Sequence, residues 1–466
     1  MSTIKFGTDG WRAIIAREFT VDNVIRVAEG TALWMKERGQ TSAVIGYDCR
    51  FGGEMFAETT ARVLGAHGIK VFFPKGFTAT PVISFGVVHF KAGLGIVITA
   101  SHNPPLYNGY KLKSSLGGPM FSENVTEVEA LIPDQPMNDL PTIAELRARG
   151  LIESPDLESI YIDHIRANFD LDLINNAGFN IAYDAMYGSG KRTMAKLLPN
   201  AALLHCEDNP GFNGIPPEPI HRNMLEFSKF IKNNPHIHVG VANDGDADRL
   251  GMYDEDGNFV DAHHLLLLLL MYMHEFRKES GKVVVSFAVT DKMQHLAERY
   301  GHEIVYTKIG FKHICGYMVD EKVIVGGEEA GGFAVAGHIP ERDGIWTAMV
   351  VLEYMAKTGK SLKQLVEDIH AMVGSFAYDR DDLHITDELK QAIAKRCAED
   401  PYTHFGEYTV REIQTIDGFK FMLDKGAWIM IRPSGTEPVL RVYAQAETPE
   451  KVRKLLDDAK VLMGVE

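Results

Sequence analysis

The segment LGIVIT at residues 94–99, with the loop ASHNPP that follows it at residues 100–105, decides the class of the fold. The first segment is a short apolar run without alternation, which is typical of a parallel strand buried on both faces. The second is polar, and in parallel sheets ligands bind just beyond the carboxyl ends of the strands. The sequence therefore predicts an α/β domain in which Ser101 lies at a crevice.

The segments that precede this strand alternate between helix and strand patterns. Helices are predicted at residues 21–38 and 54–67, and strands at residues 43–47 and 69–73. Thr80 and Pro81 fit the N-cap and the first helical position of another helix. Strands separated by helices indicate a parallel sheet with right-handed crossovers.

The same alternation continues along most of the chain. A chain of 466 residues is long enough for roughly two to four domains. Three α/β domains with mixed, largely parallel sheets are predicted at residues 1–148, 149–254 and 255–371. A smaller α+β domain is predicted at residues 372–466, where the strand-like runs are shorter.

The composition excludes several classes of protein. With 63 acidic residues against 48 Lys and Arg, the net charge is −15, and a nucleic-acid partner is not expected. Four widely spaced cysteines predict neither a disulfide framework nor a zinc site. The sequence has no signal-peptide pattern, and the apolar run at residues 265–273 is too short to span a membrane. A cytoplasmic protein without a membrane partner is therefore expected.

The loop at residues 100–105 suits nucleophilic chemistry. The hydroxyl of Ser101, with His102 beside it and Lys111 nearby, can serve as a covalent nucleophile or a phosphate carrier. A polar turn before an Asn-Pro break is the alternative interpretation, because short motifs often occur by chance.

Three carboxylates, from Asp244, Asp246 and Asp248, follow another predicted strand. They repel one another unless a counter-charge lies between them, and Mg²⁺ bound by oxygen atoms is the obvious candidate. Their spacing also matches a calcium EF-hand loop, but Arg249 occupies the position where that loop needs glycine. A solvated acidic turn is the remaining alternative.

Two later loops suit sugar and phosphate groups. The segment GGEEAGG at residues 326–332 offers paired carboxylates for vicinal hydroxyls, although a Gly-rich turn with exposed acids would look the same. The segment RPSGTEP at residues 432–438 offers an arginine, two hydroxyls and a glycine backbone as an anion cradle. An ordinary Pro-Ser-Gly turn is the alternative there.

The order of these four loops resembles that of the α-D-phosphohexomutases, a family that includes phosphoglucomutases and phosphomannomutases. The family pattern is a Ser-His-Asn-Pro phosphoserine loop, an Asp-Gly-Asp-x-Asp-Arg metal loop, a Gly-Glu-x-Ser-Gly sugar loop and a C-terminal Arg/Ser/Thr phosphate loop. The four loops occur here in that order, and the resemblance covers essentially the whole chain. It implies three α/β domains and a smaller α+β domain around one central cleft.

The resemblance also implies a role for each matching residue. Ser101 would be the phosphorylated serine, and it would complete a Mg²⁺ site formed by Asp244, Asp246 and Asp248. The other implied catalytic residues are Arg12, His102, Lys111 as a proton carrier, and Arg249. The implied substrate-binding residues are Lys308, Lys312, Glu328, Ala330, Arg432, Ser434, Gly435 and Thr436.

The activity implied by the resemblance is that of an isomerase of carbohydrate metabolism. It would interconvert hexose 1-phosphate and hexose 6-phosphate through a phosphoserine and a hexose 1,6-bisphosphate, which would also act as activator. Ala330 stands where the family usually has serine, and the Glu-Glu-Ala-Gly-Gly form differs from the Glu-Gln-Ser-Gly-His form of phosphoglucosamine mutases. Glucose or mannose is therefore the expected sugar.

Three alternatives stay open at this point. They are a phosphoglucosamine mutase, a Mg²⁺-dependent sugar-phosphate phosphatase and a non-catalytic sugar-phosphate sensor. Small-molecule sugar phosphates are the expected partners, and the chain is expected to be a monomer or a homodimer.

Overall fold

The computed structural model describes residues 4–7, 9–434 and 439–465. The described residues form four β-sheets with helices packed against them. The chain divides into two units, Met1–Val283 with Gly310–Leu365, and Val284–Ile309 with Val366–Glu466.

The first sheet has the strand order β1-β5-β4-β2-β3-β6. Its region contains β1 (Trp11–Ile14), α1 (Val21–Glu37), β2 (Ser42–Tyr47), α2 (Gly53–Ala66), β3 (Lys70–Phe72), α3 (Thr80–His89), β4 (Leu94–Ile98), β5 (Tyr107–Lys113), α4 (Ser122–Ala130), α5 (Ile143–Ala148) and β6 (Ile152–Glu153). Strands β4, β2, β3 and β6 are parallel, and β1 and β5 are antiparallel to their neighbours. The predicted helices and strands of this region are confirmed to within one residue at each end.

The predicted N-cap of α3 is wrong by one residue. Ala79 is the N-cap, and Thr80 is already helical. The hydroxyl of Thr80 donates instead to Asp246 Oδ2, at 2.6 Å. The Thr80 hydroxyl is thus hydrogen-bonded to a buried carboxylate of the loop that follows β9, and it does not cap the helix.

The second sheet has the order β11-β10-β9-β7-β8, with β8, β7 and β9 parallel. Its elements are α6 (Leu157–Asn168), α7 (Leu171–Asn176), β7 (Ile181–Asp184), α8 (Lys191–Leu197), β8 (Ala202–Leu204), α9 (Leu225–Asn233), β9 (Val239–Asn243), β10 (Leu250–Tyr253), β11 (Phe259–Val260) and α10 (Ala262–Glu275). The predicted apolar run lies in α10, whose leucines are all buried. Among the described helices, none combines the length and the hydropathy that crossing a membrane requires.

The third sheet has the order β13-β12-β14-β15. Its elements are β12 (Lys282–Ser286), α11 (Lys292–Tyr300), β13 (Ile304–Thr307), α12 (Phe311–Asp320), β14 (Val323–Gly327), β15 (Phe333–Val335), α13 (Gly344–Thr358) and α14 (Leu362–Val373). Strand β14 includes the first two residues of the segment at residues 326–332 and ends at Gly327.

The last sheet is antiparallel throughout, in the order β16-β21-β20-β19-β18-β17. Its elements are β16 (Ala377–His384), α15 (Asp387–Glu399), β17 (His404–Phe405), β18 (Tyr408–Gln414), β19 (Phe419–Leu423), β20 (Trp428–Pro433), β21 (Val439–Ala446) and α16 (Pro449–Met463). Residues of α15 and α16 pack on this sheet to form a separate apolar core. The predicted α+β character of this region is confirmed.

Candidate active site

Ser101 lies three residues beyond β4 in a strained backbone conformation. Its φ is +52°, in the left-handed region that residues other than glycine seldom adopt. Its N–H donates to Thr99 Oγ1 at 2.8 Å, and the residue is only 1% exposed. Its hydroxyl donates to Asp244 Oδ2 at 2.9 Å. The loop therefore presents the serine oxygen to the acidic loop that follows β9.

The three predicted metal ligands come together. Asp244, Asp246 and Asp248 are buried, and each offers a carboxylate oxygen within 4.8 Å of the others. The Oδ1 atoms of Asp246 and Asp248 are buried without a hydrogen-bond partner among the described residues. Buried carboxylate oxygens that lack a partner are the donors that a hard divalent cation requires. This donor set fits Mg²⁺, as the sequence predicts.

Lys111, on β5, supplies a positive charge to the same cluster. Its Nζ lies 2.9 Å from Asp246 Oδ2, 3.2 Å from Asp248 Oδ2 and 3.0 Å from Asp9 Oδ2. Burial would lower the pKa of Lys111, but these carboxylates raise it above its usual value. The lysine therefore stays charged and offsets part of the repulsion that the sequence pattern indicates.

The pKa values of two carboxylates in this cluster shift in opposite directions. Burial and the neighbouring Asp246 and Asp248 raise the pKa of Asp244 well above its usual value. Burial acts on Asp246 in the same direction, but Lys111 and the Thr80 hydroxyl hold its pKa below the usual value. The unfavourable charge is therefore concentrated at Asp244.

Two of the predicted catalytic residues are found here: His102 belongs to the serine loop, and Arg12 lies beside it. Arg12 Nη1 donates to Asn103 Oδ1 at 2.5 Å, and His102 Nδ1 lies 3.4 Å from Ser101 Oγ. Burial lowers the pKa of His102 well below its usual value, and the nearby arginines and lysine add to this effect. His102 is therefore neutral at pH 7.

The metal loop and the sugar loop are joined through their backbones. Arg249 forms an isolated antiparallel bridge with Gly332, and the N–H of Leu250 donates to the carbonyl of Gly331 at 2.9 Å. Arg249 also donates its own N–H to Asp244 Oδ1 at 3.0 Å. The two predicted loops are thus neighbours in one unit.

Glu328 is a buried carboxylate in the turn that follows β14. Its Oε1 accepts a hydrogen bond from the N–H of Gly310 at 2.8 Å. Burial raises the pKa of Glu328 to about 7, against the effect of Arg342. Ala330 lies two residues further in the same turn and is half-buried.

Arg342 is a residue of this site that the sequence patterns did not indicate. Its Nη2 lies 2.7 Å from Asp9 Oδ2 and 2.9 Å from Asp248 Oδ2, and its Nη1 lies 3.9 Å from Glu328 Oε2. Its neighbour Glu341 forms a fully buried ion pair with Lys113 on β5. An arginine and an aspartate before a helix carry no distinctive spacing, so only the fold brings Arg342 to the metal loop.

The remaining predicted residues lie elsewhere. Lys312, in the first turn of α12, donates to Ser122 Oγ at 2.8 Å. The second unit contains Lys308, Arg432 and Ser434. Within it, Arg432 Nε lies 3.2 Å from Asp417 Oδ2, and the N–H of Ser434 donates to the carbonyl of Val439 at 2.9 Å. The predicted phosphate-binding residues Gly435 and Thr436 lie outside the described residues.

Four family profiles match successive parts of the chain. They describe the α/β/α domains I, II and III and the C-terminal domain of phosphoglucomutase/phosphomannomutase, and they match residues 3–138, 159–257, 261–372 and 380–460, respectively. The limits of the individual domains predicted from the sequence stay predictions.

Full-length relatives and solved structures agree with these matches. A phosphoglucomutase/phosphomannomutase of Thermococcus kodakarensis is 30% identical, over 97% of this chain and 96% of its own. A phosphoglucosamine mutase of Methanococcus maripaludis is 29% identical, over 97% and 96%. The crystal structure of a candidate phosphomannomutase from Thermus thermophilus has a TM-score of 0.87 and 34% identity, and 99% of each chain is covered. The chain therefore belongs to the phosphoglucomutase/phosphomannomutase family, the α-D-phosphohexomutases, and is an isomerase.

Proposed function

We propose that the chain interconverts hexose 1-phosphate and hexose 6-phosphate, with glucose or mannose as the sugar, through a phosphoserine at Ser101. The observation that carries this proposal is the position of Ser101 Oγ, buried and 2.9 Å from Asp244 Oδ2 in a cluster of carboxylates and cations. A nucleophile in such a place is shielded from water, so its phosphoryl group is transferred to a bound sugar rather than hydrolysed.

The transfer conserves atoms and charge. The bond between phosphorus and Ser101 Oγ breaks, a bond to a sugar hydroxyl oxygen forms, and the proton of that hydroxyl returns to the serine oxygen. The hexose 1,6-bisphosphate that results gives its other phosphoryl group back to Ser101, and added hexose 1,6-bisphosphate would activate enzyme that has lost its phosphate. The three aspartates would hold Mg²⁺, which would supply positive charge to offset the negative charge of the transferring group.

The chain's own residues orient the reacting groups in this proposal. Arg12 and Lys111 offset charge near Ser101, and Arg249 links the metal loop to the sugar loop. Glu328 would accept hydrogen bonds from ring hydroxyls, with Ala330, Lys308 and Lys312 near the sugar. Arg432, Ser434, Gly435 and Thr436 would hold the phosphate that does not react.

The sugar is the finer part of the proposal. Glucosamine is the second candidate, because relatives such as that of Methanococcus maripaludis are named phosphoglucosamine mutases. Ala330 stands where the family usually has serine, so the predicted sugar loop has one hydroxyl fewer. We expect this change to affect which sugar is preferred rather than which reaction is catalysed. The cytoplasmic location and the monomeric or dimeric state stay predictions.

The proposal is tested by intact mass and by a substrate panel. After incubation with glucose 1,6-bisphosphate and Mg²⁺, the purified protein is expected to gain one phosphoryl group, and Ser101→Ala is expected to gain none. Glucose, mannose and glucosamine 1-phosphates are then compared for isomer formation and for release of free phosphate. Phosphate release without isomer formation would support a phosphatase, and binding without either would support a sensor. Wild-type mutase activity in Ser101→Ala would overturn the nucleophile assignment.

A further inference from the structure

Arg50 is a buried arginine whose hydrogen bonds converge on one loop. Its side chain is fully buried, and its Nε donates to Asp48 Oδ2 at 3.2 Å. Its four remaining N–H groups face four main-chain carbonyls. These belong to Ser101, Asn103, Pro104 and Tyr107, at 2.5, 2.6, 2.9 and 3.0 Å. All five donors of the guanidinium are thereby used; three of them hold the serine loop, and a fourth holds the first residue of β5, which follows that loop.

The loop needs such support because Ser101 is strained. A non-glycine residue in the left-handed region is unfavourable and persists only where its surroundings fix it. The N–H of Ser101 donates to Thr99 Oγ1, and the Thr99 hydroxyl donates to Asp48 Oδ2 at 2.6 Å. Asp48 thus joins the two groups that hold Ser101, which are the guanidinium of Arg50 and the hydroxyl of Thr99.

We propose that Arg50, anchored by Asp48, is a positioning residue that holds Ser101 in the conformation required for phosphoryl transfer. This inference rests on the proposed function, because it needs Ser101 to be the residue that carries the phosphoryl group. Arg50 acts on Ser101 through the main-chain carbonyls of the loop. Its removal frees Ser101 to relax toward ordinary φ values, which turns Oγ away from Asp244 Oδ2.

Two other arginines of the first domain provide matched controls. Arg62 donates to the carbonyls of Leu140 and Pro141 at 2.9 and 2.8 Å, and Arg26 donates to the carbonyl of Pro133 at 2.7 Å. Like Arg50, they tie a loop to the domain through main-chain oxygens. Their loops contain no residue of the candidate site, so they report the cost of losing such a tether without any effect on Ser101.

The experiment compares Arg50→Lys with Arg62→Lys and Arg26→Lys. The rate of Ser101 phosphorylation by glucose 1,6-bisphosphate is measured by quenched intact mass, beside kcat, KM and thermal unfolding. Arg50→Lys is expected to lower the phosphorylation rate and kcat by at least about tenfold, because small displacements of reacting groups are costly, and to leave KM nearly unchanged. The two control variants are expected to lower the melting temperature with kcat unchanged.

A second variant keeps Arg50 in place. Thr99→Val has nearly the same shape but removes the hydroxyl that links Asp48 to the Ser101 N–H, and it is expected to slow phosphorylation in the same way. If Arg50→Lys and Thr99→Val both phosphorylate at the wild-type rate, the inference is wrong. If Arg50→Lys does not fold, Thr99→Val alone decides between these results. A wild-type protein that gains no phosphoryl group would overturn the proposed function instead.

Discussion

Arg342 Nη2 lies 2.9 Å from a carboxylate oxygen of Asp248, and this ion pair connects the loop before α13 to the candidate metal site. The same nitrogen contacts Asp9, and burial would be costly for either carboxylate alone. Arg342 therefore supplies part of the positive charge that offsets the buried acidic cluster.

The first prediction concerns Arg342→Gln. Removing one partner of a buried ion pair leaves Asp9 and Asp248 with less counter-charge, which is expected to cost about 3–5 kcal/mol of unfolding free energy. Mg²⁺ should recover part of this loss, because Asp248 is one of the three carboxylates that would bind it. The measurement is thermal unfolding in chelator and in Mg²⁺. Arg277→Gln, which removes an ion pair to the buried Glu353, is the control and should respond equally in both buffers.

The second prediction contrasts Asp244→Asn with Asp246→Asn. The raised pKa of Asp244 means that its charge destabilises the fold as pH rises, so Asp244→Asn should keep or raise the melting temperature in chelator at pH 8 and change it little at pH 4. Asp246→Asn removes a negative charge that pairs with Lys111 and should lower the melting temperature. Both should lose Mg²⁺-dependent turnover. Equal melting temperatures for the two variants at pH 8 would contradict this account.

The third prediction is a pH dependence at Glu328. The charged groups that act on it are Arg342, Glu329 and Arg249. Because its pKa is raised to about 7 in the folded state, its contribution to stability is full below the unfolded value and is lost as pH rises through 7. Glu328→Gln should therefore gain up to about 3 kcal/mol over wild type at pH 8, and little below pH 4.5.

The ionised form of Glu328, which destabilises the fold, should strengthen sugar binding. If the carboxylate accepts bonds from ring hydroxyls, wild-type KM should fall as pH rises through about 7, since the ionised form is the stronger acceptor. Glu328→Gln should have a higher KM, and its KM should not fall as pH rises through about 7. If the KM of Glu328→Gln still falls over this pH range, the titrating group is not Glu328.

The fourth prediction concerns Ala330→Ser. A hydroxyl restored to this turn can add one hydrogen bond, worth about 0.5–1.5 kcal/mol where the geometry permits. The ratio of kcat/KM between glucose and mannose 1-phosphates should shift by a few-fold, since about 1.4 kcal/mol corresponds to tenfold. Phosphorylation of Ser101 by a small phosphate donor without a sugar should not change. An unchanged ratio would place sugar recognition outside this loop.

The sequence was informative where a local pattern carries the physical cause. Buried parallel strands are continuous apolar runs, so β2 and β4 could be located to within one residue at each end, and the loops after β4 and β9 could be selected as candidate sites. The spacing of three aspartates after a buried strand then indicated the metal loop. These features depend on neighbours in the chain, which is why a single sequence was sufficient to find them.

The counter-charges could not be found in this way. Lys111 and Arg342 meet Asp248 from two separate parts of the chain, and no spacing connects them. The sequence therefore indicated repulsion among the aspartates and a cation to relieve it, whereas the fold itself relieves part of that repulsion. Thr80 was interpreted as a helix cap for the same reason, since its partner Asp246 is distant in the chain.

The tether from Arg50 has a consequence for loop exchange between relatives. Every residue type presents a main-chain oxygen, so this arginine dictates the path of the chain without dictating which side chains follow that path. The shape of the loop thus depends on Arg50, which lies 51 residues before Ser101 in the chain. Residues 104–106 should therefore tolerate substitution as long as Arg50 and Asp48 are present. A loop transplanted into another protein without these two residues would keep the sequence of the motif but lose its backbone conformation.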